Sequence, residues 1–572
     1  MRVTNRQIAD IFNETADLID IDGENPFKVR AYRNAARTIL SHPRNMADLL
    51  EEQFDLTSLK GIGRELAKKI TEIVQTGKLS YLEKLKRIHP PGIEKLLKIP
   101  GLGPRRVRLL HEFLHINSLH DLENALRQDK LQSVPGFGPK LIEMIEKELK
   151  KRRYEEKRYP LSEADSVSRW LLETLCSAKG LIEIEVAGSI RRRSETVHDI
   201  DIVAAAETEN DIMEHFTTLP EAERVLMKGP TRSSVILING ITVDLRVVPA
   251  ENFGAALHHF TGSKAHNIAL RKLAITKEMK INEYGIYKKG ERIGGEKEED
   301  IYKKLDMDYI APELRENRGE IVVAQQHRLP SLVSEEEIQG DLHMHTTYSD
   351  GTNTIREMAL RAKEKGYEYI AVTDHTRHLA VAHGLDEKKA KKQLEEIDRL
   401  NEELQGITIL KSAEVDILED GSLDLPESIL KELDLTVCAV HFKFDLSQQA
   451  QTKRILKAME HPFFTILGHP TGRLIGLRDP YDIDMEAIIH AAAQCGCILE
   501  LNAQPDRLDL NDIHCKMAKE AGVPIAISTD AHSVNDLDLM HYGIGQARRG
   551  WLGKENVVNT RSLKELKKVL KK

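Results

Sequence analysis

From residue 340 onwards the chain repeats one pattern: a short apolar run, a side chain able to bind a metal ion, and then a helical stretch such as residues 386–404 or 511–521. Short apolar runs alternating with helical patterns predict parallel βα units. In a βα barrel the carboxyl ends of all strands meet at one mouth, so side chains placed there converge. The runs cover residues 369–373, 407–412, 435–440, 464–468 and 523–529, and they are followed by Asp374 and His375, Glu414, His441, His469, and Asp530 with His532.

The side chains at these run ends are of the types that bind transition metals. A lone histidine after a strand is usually structural, but so many in equivalent positions indicate a metal site. The predicted ligands are His343, His345, Asp350, His375, Glu414, His441, His469, Asp530 and His532. Surface or core roles are expected for His378, His383, His461 and His514.

A second acidic pattern lies in residues 188–201, GSIRRRSETVHDID. Asp199 and Asp201 would share one face of a strand, and Asp244 lies in another strand-like run, residues 241–248. Carboxylates on one face repel each other unless a cation lies between them, and hard oxygen ligands suit Mg²⁺ or Mn²⁺. Three aspartates beside arginines are typical of two-metal phosphoryl transfer. The alternative is the solvated face of an edge strand.

Three similar segments occur in the first 150 residues: LKGIGRELAKKI from residue 59, IPGLGPRRVRLL from residue 99 and VPGFGPKLIEMI from residue 134. Each predicts a tight glycine turn and then an amphipathic helix, whose first N–H groups can bind phosphate without reading sequence. The alternative is an ordinary connection between helices. The pattern resembles helix-hairpin-helix DNA-binding motifs, with predicted backbone contacts at Gly61, Gly63, Gly101, Gly103, Gly136 and Gly138.

Length, charge and cysteine content narrow the class of protein. A chain of 572 residues is too long for a single core and should hold several domains. Residues 1–160 carry a net charge of +7 and the remainder −15, which together give the overall −8 and favour a polyanionic partner for the first part. No apolar run reaches the roughly 18 residues of a membrane span. The five cysteines form no zinc-type pair and are expected to be reduced, in a cytoplasmic, nucleoid-associated monomer.

The acidic pattern and its surroundings resemble the palm of family X DNA polymerases. The matching segments are G-S-I-R-R from residue 188, D-I-D from 199, V-D-L-R from 243, H-F-T-G-S-K-A-H-N-I-A-L-R from 259 and I-N-E-Y-G-I from 281. The resemblance implies catalysis by Asp199, Asp201 and Asp244 with two Mg²⁺ or Mn²⁺ ions, and nucleotide binding by Gly188, Ser189, Arg192, His259, Phe260, Gly262, Ser263 and Asn267.

Three further positions follow from the same resemblance. Arg271 would face the DNA minor groove, with a solvated thumb helix as the alternative. Lys69 matches the family's Schiff-base lysine and is a candidate for abasic-site lyase chemistry, although Glu65 stands where a second basic residue is usual. His259 replaces a common tyrosine and Lys264 a common acid, so the resemblance does not determine the choice between ribose and deoxyribose.

The C-terminal ligands resemble those of the PHP family of phosphoesterases (polymerase and histidinol phosphatase). The matching motifs are H-x-H, T-D-H, A-E, V-H, G-H-P and D-A-H, and all nine expected ligands are present. The resemblance implies three Mn²⁺, Zn²⁺ or Fe ions in a distorted seven-stranded barrel. A metal-bound hydroxide would attack phosphorus there.

Together these features predict a multidomain protein: an α-helical N-terminal helix-hairpin-helix region, an α+β nucleotidyltransferase palm with a thumb, and a C-terminal distorted (βα)7 PHP barrel. The predicted ranges are 1–85 for a lyase-like DNA-binding domain, 86–155 for helix-hairpin-helix fingers, 156–250 for the palm, 251–320 for the thumb, 321–339 for a linker and 340–572 for the PHP domain.

The predicted function is gap-filling repair synthesis on primer-template DNA with dNTPs, combined with a 3′→5′ exonuclease or 3′-end-processing phosphoesterase in the PHP part. Weak abasic-site lyase or endonuclease activity is a further candidate. Two alternatives stay open. The PHP part would act as a small-molecule phosphatase or pyrophosphatase, or the whole chain would be a non-enzymatic scaffold for DNA ends.

Overall fold

The computed structural model describes residues 3, 5–23, 26–42, 46–51, 54–88, 93–97, 99–377 and 383–570, so His378 lies outside the described residues. The chain forms two compact units, Met1–Lys157 and Arg158–Lys572. Within the described ranges, no helix combines the length and the apolar character that crossing a membrane requires.

The first unit is helical. The apolar faces of its nine described helices form one continuous hydrophobic core, which extends from Ile8 to Leu149. The helices are α1 Asn5–Asp22, α2 Pro26–Ser41, α3 Met46–Glu51, α4 Arg64–Thr76, α5 Ser80–Ile88, α6 Ile93–Leu96, α7 Pro104–Leu114, α8 Leu119–Arg127 and α9 Pro139–Glu156, with short 3₁₀ helices at Leu56–Ser58 and Lys130–Ser133.

The three predicted glycine turns have the same backbone conformation. Gly61, Gly101 and Gly136 have φ values of 84°, 85° and 84°, in the left-handed region that only glycine adopts without strain. The second glycine of each motif is the N-cap of α4, α7 or α9. The same turn geometry therefore precedes all three helices, as the repeat predicts.

The second unit begins with a mixed sheet and a smaller β-hairpin region. The strands are β1 Tyr159–Pro160, β2 Leu181–Val186, β3 Thr196–Val197, β4 Asp199–Ala206, β5 Ala222–Lys228, β6 Arg232–Leu237, β7 Thr242–Val248, β8 Met279–Asn282, β9 Gly285–Lys288 and β10 Glu291–Gly294. The helices are α10 Leu161–Leu175, α11 Gly188–Arg191, α12 Ile212–Thr217, α13 Phe253–Thr261, α14 Lys264–Thr276, α15 Glu298–Lys304 and α16 Glu320–Gln325.

The five-stranded sheet has the order β2-β4-β7-β6-β5, in which only β4 and β7 are parallel neighbours. Along β4, Ile200 and Ile202 are fully buried while Asp199 and Asp201 point to the opposite face. The period-two alternation in the sequence therefore produces the expected split between core and acidic face.

From residue 340 onwards, the described residues of the second unit form eight parallel strands and eight helices. The strands are β11 Gly340–Met344, β12 Tyr369–Val372, β13 Thr408–Lys411, β14 Glu414–Asp416, β15 Val437–Ala439, β16 Ile466–Leu467, β17 Ile498–Asn502 and β18 Ile525–Ser528. The helices are α17 Ile355–Glu364, α18 Glu387–Glu403, α19 Glu427–Leu430, α20 Gln448–Met459, α21 Met485–Cys495, α22 Asp512–Glu520, α23 Met540–Arg549 and α24 Leu563–Leu570.

These strands form two parallel sheets, ordered β11-β12-β13 and β14-β15-β16-β17-β18. Isolated parallel bridges join them at both sides, His375 with Glu414 and Met344 with Ala531. Several of the helices around the strands start at a polar N-cap whose side chain accepts a backbone N–H, as at Asp386, Ser447 and Asn511. Strands and helices alternate along the chain as predicted, except that β13 and β14 follow one another without a helix between them.

Candidate functional site

The acidic face of the mixed sheet brings Asp199, Asp201 and Asp244 together. Asp201 lies directly opposite Asp244 in the parallel register of β4 and β7, and Asp199 lies opposite Thr242. Arg232, on the neighbouring strand β6, approaches Asp244 with 3.4 Å between Nη2 and Oδ1. The parallel pairing of two strands that are distant in the chain therefore places three carboxylates on one surface.

Burial and the neighbouring negative charges raise the proton affinities of Asp199 and Asp201. Burial raises the pKa of Asp201 to about 7, and the charges of Asp199 and Asp244 contribute to the increase. Burial and the charge of Asp244 also raise the pKa of Asp199. Such a site favours a bound cation, which would allow all three groups to stay ionised at neutral pH.

Replacing Asp201 by asparagine should stabilise the protein when divalent metal is absent. A carboxyl whose pKa is raised on folding binds more protons in the folded state, so its contribution to the free energy of unfolding decreases as the pH rises from about 4 to about 7. We expect the free energy of unfolding of D201N to exceed that of wild type by about 2 kcal/mol at pH 8 and to equal it near pH 4. The gain is smaller than the full pKa shift implies, because neighbouring charges partly rearrange around the ionised Asp201. Calorimetry in EDTA measures this, with the exposed Glu185→Gln as control, and equal stabilities at pH 8 would contradict it.

Gly188, at the start of a short helix, lies directly against the acidic face. Gly188 begins α11 with φ 61°, and a Cβ at this position would lie 2.2 Å from Oδ2 of Asp201. The contact explains why the sequence has G-S here: any larger side chain would collide with the carboxylate. Gly188 is the first residue of the short helix α11.

Most of the predicted nucleotide-binding residues line one open cleft beside Gly188. Ser263 and Asp244 are not among its lining residues. Ser263 is instead the N-cap of α14 and accepts the N–H of His266. The residues that line the cleft are Gly188, Ser189, Arg192, Asp199, Asp201, His259, Phe260, Gly262, Lys264, Asn267 and Arg271.

Hydrogen bonds within the cleft wall hold several of these side chains in place. Asn267 Nδ2 donates to the carbonyl oxygen of His259 at 2.7 Å. Arg192 Nε donates to Glu316 Oε1 at 3.1 Å, and its Nη1 donates to the carbonyl oxygen of Thr261. Burial lowers the pKa of His259, which favours the neutral ring. The cleft is therefore lined both by two partly buried carboxylates and by basic side chains.

The C-terminal strand ends bring all nine predicted metal ligands into contact. Within the described part of the chain, three groups of side chains have ligand atoms that lie, inside each group, within 4.8 Å of one another. Asp199, Asp201 and Asp244 do not form one of these groups. The groups are His345 with Asp350, His375 and His532; His343 with His345 and Asp530; and His375 with Glu414 and His441. His469 joins them through Nε2, 2.9 Å from Glu414 Oε1.

Glu414 lies at the centre of this cluster and is 1% exposed. Its Oε1 is 3.0 Å from His441 Nε2, and its Oε2 is 2.8 Å from His375 Nδ1. The nearby imidazoles outweigh the effect of burial and hold the pKa of Glu414 well below its usual range. Both Oε2 and His375 Nδ1 are buried without a hydrogen bond. Nitrogen and oxygen atoms that face one another and lack hydrogen bonds are suited to act as ligands of transition-metal ions.

A layer of side chains that was not predicted orients the ligands. Glu500 accepts a hydrogen bond from His343 Nδ1 at 2.7 Å, and Asp416 lies 2.8 Å from His441 Nδ1. Asn502 donates to Asp530 at 3.0 Å. Such partners fix the tautomer and ring orientation of metal-binding histidines. The signal for Glu500 and Asn502 was the run I-L-E-L-N of β17, the one strand of this part for which no ligand was predicted.

In the first unit, the glycine N-caps leave the helix starts open. A Cβ at Gly63, Gly103 or Gly138 would meet no atom within 4 Å. The free N–H groups at the starts of α4, α7 and α9 are therefore accessible to an anion. The geometry fits the predicted phosphate contacts.

Lys69, on α4, lies between two aromatic rings. Its Nζ is 4.9 Å from the ring centroids of both Tyr32 and Tyr81, and it donates to the Tyr32 hydroxyl. Burial and the charge of Lys28 lower the pKa of Lys69. Both effects increase the fraction of neutral amine, which is the nucleophilic form.

Four segments match known protein-family models in the predicted order. Residues 3–79 match a helix-hairpin-helix domain and 93–151 a SAM-like helix-hairpin-helix tandem. Residues 256–316 match the DNA polymerase beta thumb, and 341–504 match the PHP domain. These matches confirm the predicted fold class.

Some curated relatives match only part of the chain, and another matches its full length. "Probable phosphatase" proteins of Thermoanaerobacter sp. (strain X514) and Syntrophotalea carbinolica are 32% and 27% identical over 231 and 229 residues, each 38% of this chain and 89% and 90% of theirs. "DNA polymerase/3′-5′ exonuclease PolX" of Bacillus subtilis is 39% identical over 571 residues, 99% of both chains. With the thumb and PHP matches, this full-length similarity shows that the chain belongs to the PolX family, the family X DNA polymerases with a C-terminal PHP domain.

Proposed function

We propose that this protein fills short gaps in DNA during repair and removes nucleotides from 3′ ends at its C-terminal site. The observation that carries the proposal is that one chain holds two separate ligand clusters, three aspartates beside a basic cleft and nine His, Asp and Glu side chains at strand ends. The full-length relative named as both polymerase and 3′-5′ exonuclease supports assigning one activity to each cluster.

In the polymerase site, Asp199, Asp201 and Asp244 would hold two Mg²⁺ or Mn²⁺ ions. When bound, such ions lower the pKa of a primer 3′-hydroxyl and offset charge on the transferred phosphorus. The chain's own contribution is positional. Ser189 and Arg192 would bind the triphosphate, while Gly188 leaves room for it next to Asp201. His259, Phe260 and Asn267 would contact the nucleotide, the first as a neutral ring.

In the C-terminal site, the nine ligands would hold three ions, for which Mn²⁺, Zn²⁺ or Fe fit the mixed nitrogen and oxygen donors. When bound, these ions supply a hydroxide nucleophile and offset the charge that develops on phosphorus. Glu500, Asp416 and Asn502 keep the ligands oriented. Arg507, 3.6 Å from Asp530, adds a partly buried positive charge beside the cluster that suits a phosphate group.

A gapped duplex with labelled primer tests the proposal. With Mn²⁺ and dNTPs the protein should extend the primer up to the end of the gap, and without dNTPs it should shorten the same strand from its 3′ end. A protein that does neither would refute the proposal and return the DNA-end scaffold as the better description.

A second candidate concerns only the C-terminal site. The similarity of this part to proteins named probable phosphatases favours hydrolysis of a small phosphomonoester or pyrophosphate. Release of inorganic phosphate from such compounds, at a rate far above 3′-end degradation, would support it over the exonuclease.

Lys69 supports a further candidate activity, abasic-site lyase. Wild-type protein treated with borohydride should become covalently attached to DNA that carries a 5′-deoxyribose phosphate, because a partly desolvated amine forms a Schiff base. K69A should lose at least about 90% of the trapped product. Its neighbour Lys68, which pairs with Glu65 at the surface, is the matched control. Equal trapping by K68A and K69A would exclude this role for Lys69.

The helix starts of the first unit should bind DNA through its phosphates. Affinity for gapped DNA is expected to fall at least about tenfold between 50 and 200 mM salt, because bound phosphates release counterions. G103A should weaken binding further at a fixed salt concentration, since a Cβ there would block close approach of a phosphate and would meet no protein atom within 4 Å. Fluorescence anisotropy measures both effects. An affinity independent of salt would contradict phosphate contacts.

A further inference from the structure

The turn formed by Arg192 and Arg193, next to the polymerase cleft, packs against the C-terminal part of the same unit. Two side chains of α23 donate to backbone carbonyls of the turn. Gln546 Nε2 donates to the oxygen of Arg193 at 2.8 Å, and Arg549 Nη1 donates to the oxygen of Arg192 at 2.7 Å. A Cβ at Gly545 would lie 3.1 Å from the Arg193 side chain, so the helix packs closely on the turn.

Arg549 also shares a carboxylate with the side chain of Arg192. Its Nη1 donates to Glu316 Oε1 at 2.9 Å, the oxygen that accepts the hydrogen bond of Arg192 Nε at 3.1 Å. On the other side, Arg549 Nη2 lies 2.8 Å from Asp512 Oδ2 at the start of α22. The result is a chain of alternating charges, Asp512, Arg549, Glu316 and Arg192, which runs from the C-terminal part to the cleft.

The side chains of this chain of charges are largely shielded from water. The side chain of Arg549 is 7% exposed and those of Glu316 and Arg192 are 19% and 15% exposed. Burial raises the pKa of Glu316, but the guanidinium groups of Arg549 and Arg192 outweigh it and lower this pKa below its usual range. Hydrogen bonds between ionised groups shielded from water are stronger and more directional than neutral ones, so each member restricts the rotamer of the next.

We propose that Arg549 is a positioning residue of the polymerase site: together with Glu316 it fixes the backbone and guanidinium of Arg192 for binding the nucleotide triphosphate. The C-terminal part is then a structural component of the polymerase as well as a separate enzyme. The inference rests on the proposed role of Arg192 in triphosphate binding.

Steady-state filling of a one-nucleotide gap tests the proposal in the full-length protein. R549M should raise KM for dNTP about tenfold and change kcat less than about threefold, because it loosens a binding group without touching the reacting atoms. R549K should recover part of the loss, since it retains the charge but not the paired hydrogen bonds. E316Q, a smaller change, should raise KM in the same direction.

A double variant separates this inference from the proposed role of Arg192. If Arg549 acts through Arg192, R192M/R549M should have the same KM as R192M alone. An unchanged KM in R192M would refute the role of Arg192 itself. A raised KM in R192M together with an unchanged KM in R549M and E316Q would refute only the positioning role.

The controls exclude a general loss of structure. Arg548, the preceding residue of α23, binds Glu313 and the carbonyl oxygen of Val333. R548M should therefore leave KM for dNTP unchanged. The 3′-end degradation activity of R549M reports whether the C-terminal part still folds. If R549M loses that activity, E316Q decides: a KM equal to wild type in E316Q overturns the proposal.

Discussion

Primer extension by the Asp199→Ala variant should fall by about three orders of magnitude or more, while shortening of the 3′ end continues. Asp199 lies on the same face of β4 as Asp201, and both carboxylates border the cleft. In the proposed two-metal site, removing one of the three carboxylates would leave charge on the transferred phosphorus without compensation, and electrostatic stabilisation of that kind is usually the largest contribution to the rate.

A gapped-DNA assay with Mg²⁺ measures this effect directly. The matched control is Glu185→Ala, since Glu185 is an exposed carboxylate on the neighbouring strand β2 and does not line the cleft. Wild-type extension by E185A together with loss in D199A would identify the effect as specific to the acidic face. Extension within tenfold of wild type in D199A would contradict the assignment of the polymerase site.

The complementary variant, His343→Ala, should lose metal-dependent shortening of the 3′ end by about two to three orders of magnitude and keep primer extension. His343 is fully buried, and its Nε2 lies 3.5 Å from Glu414 and 3.6 Å from Asp530. Its loss removes a ligand from one group of the cluster and leaves Glu500 buried without its imidazole partner, so the ions would bind more weakly and in altered geometry.

Mn²⁺-dependent release of labelled nucleotides from single-stranded DNA is the appropriate measurement, with metal content determined in parallel. His490, exposed on α21 and 3.0 Å from Gln494, is the matched control histidine. H490A should behave as wild type. Undiminished degradation by H343A would mean that the nuclease activity belongs elsewhere in the chain, and the C-terminal site would then be better described as a small-molecule phosphatase.

Much of this architecture was predictable because the patterns involved are local. The helix predicted at residues 386–404 is α18, Glu387–Glu403, with Asp386 as its N-cap. The repeated glycine turns have the same φ because a G-x-G sequence between apolar residues has few other ways to fold. Likewise, Asp199 and Asp201 share a face because successive side chains of any strand alternate.

Other features could not be read from the chain because they depend on neighbours distant in sequence. Glu500 contacts His343 across 157 residues, and its acidic side chain in an apolar strand had no assigned partner. Lys264 was noted as a departure from the family pattern, yet it lines the same cleft as Arg192 and Asn267. Ser263, expected to face the nucleotide, caps a helix instead, because the following N–H groups of α14 need an acceptor.

The amino-acid order therefore specified which side chains share a strand face, a turn or a helix start, since those relations follow from backbone periods of two and 3.6 residues. Sheet order and the packing of one part on another decided which faces meet. The pairing of β4 with β7 brings Asp244 opposite Asp201, and the packing of α23 brings Arg549 to Arg192 across 357 residues. Such contacts depend on burial and on charge compensation in three dimensions, which no local period encodes.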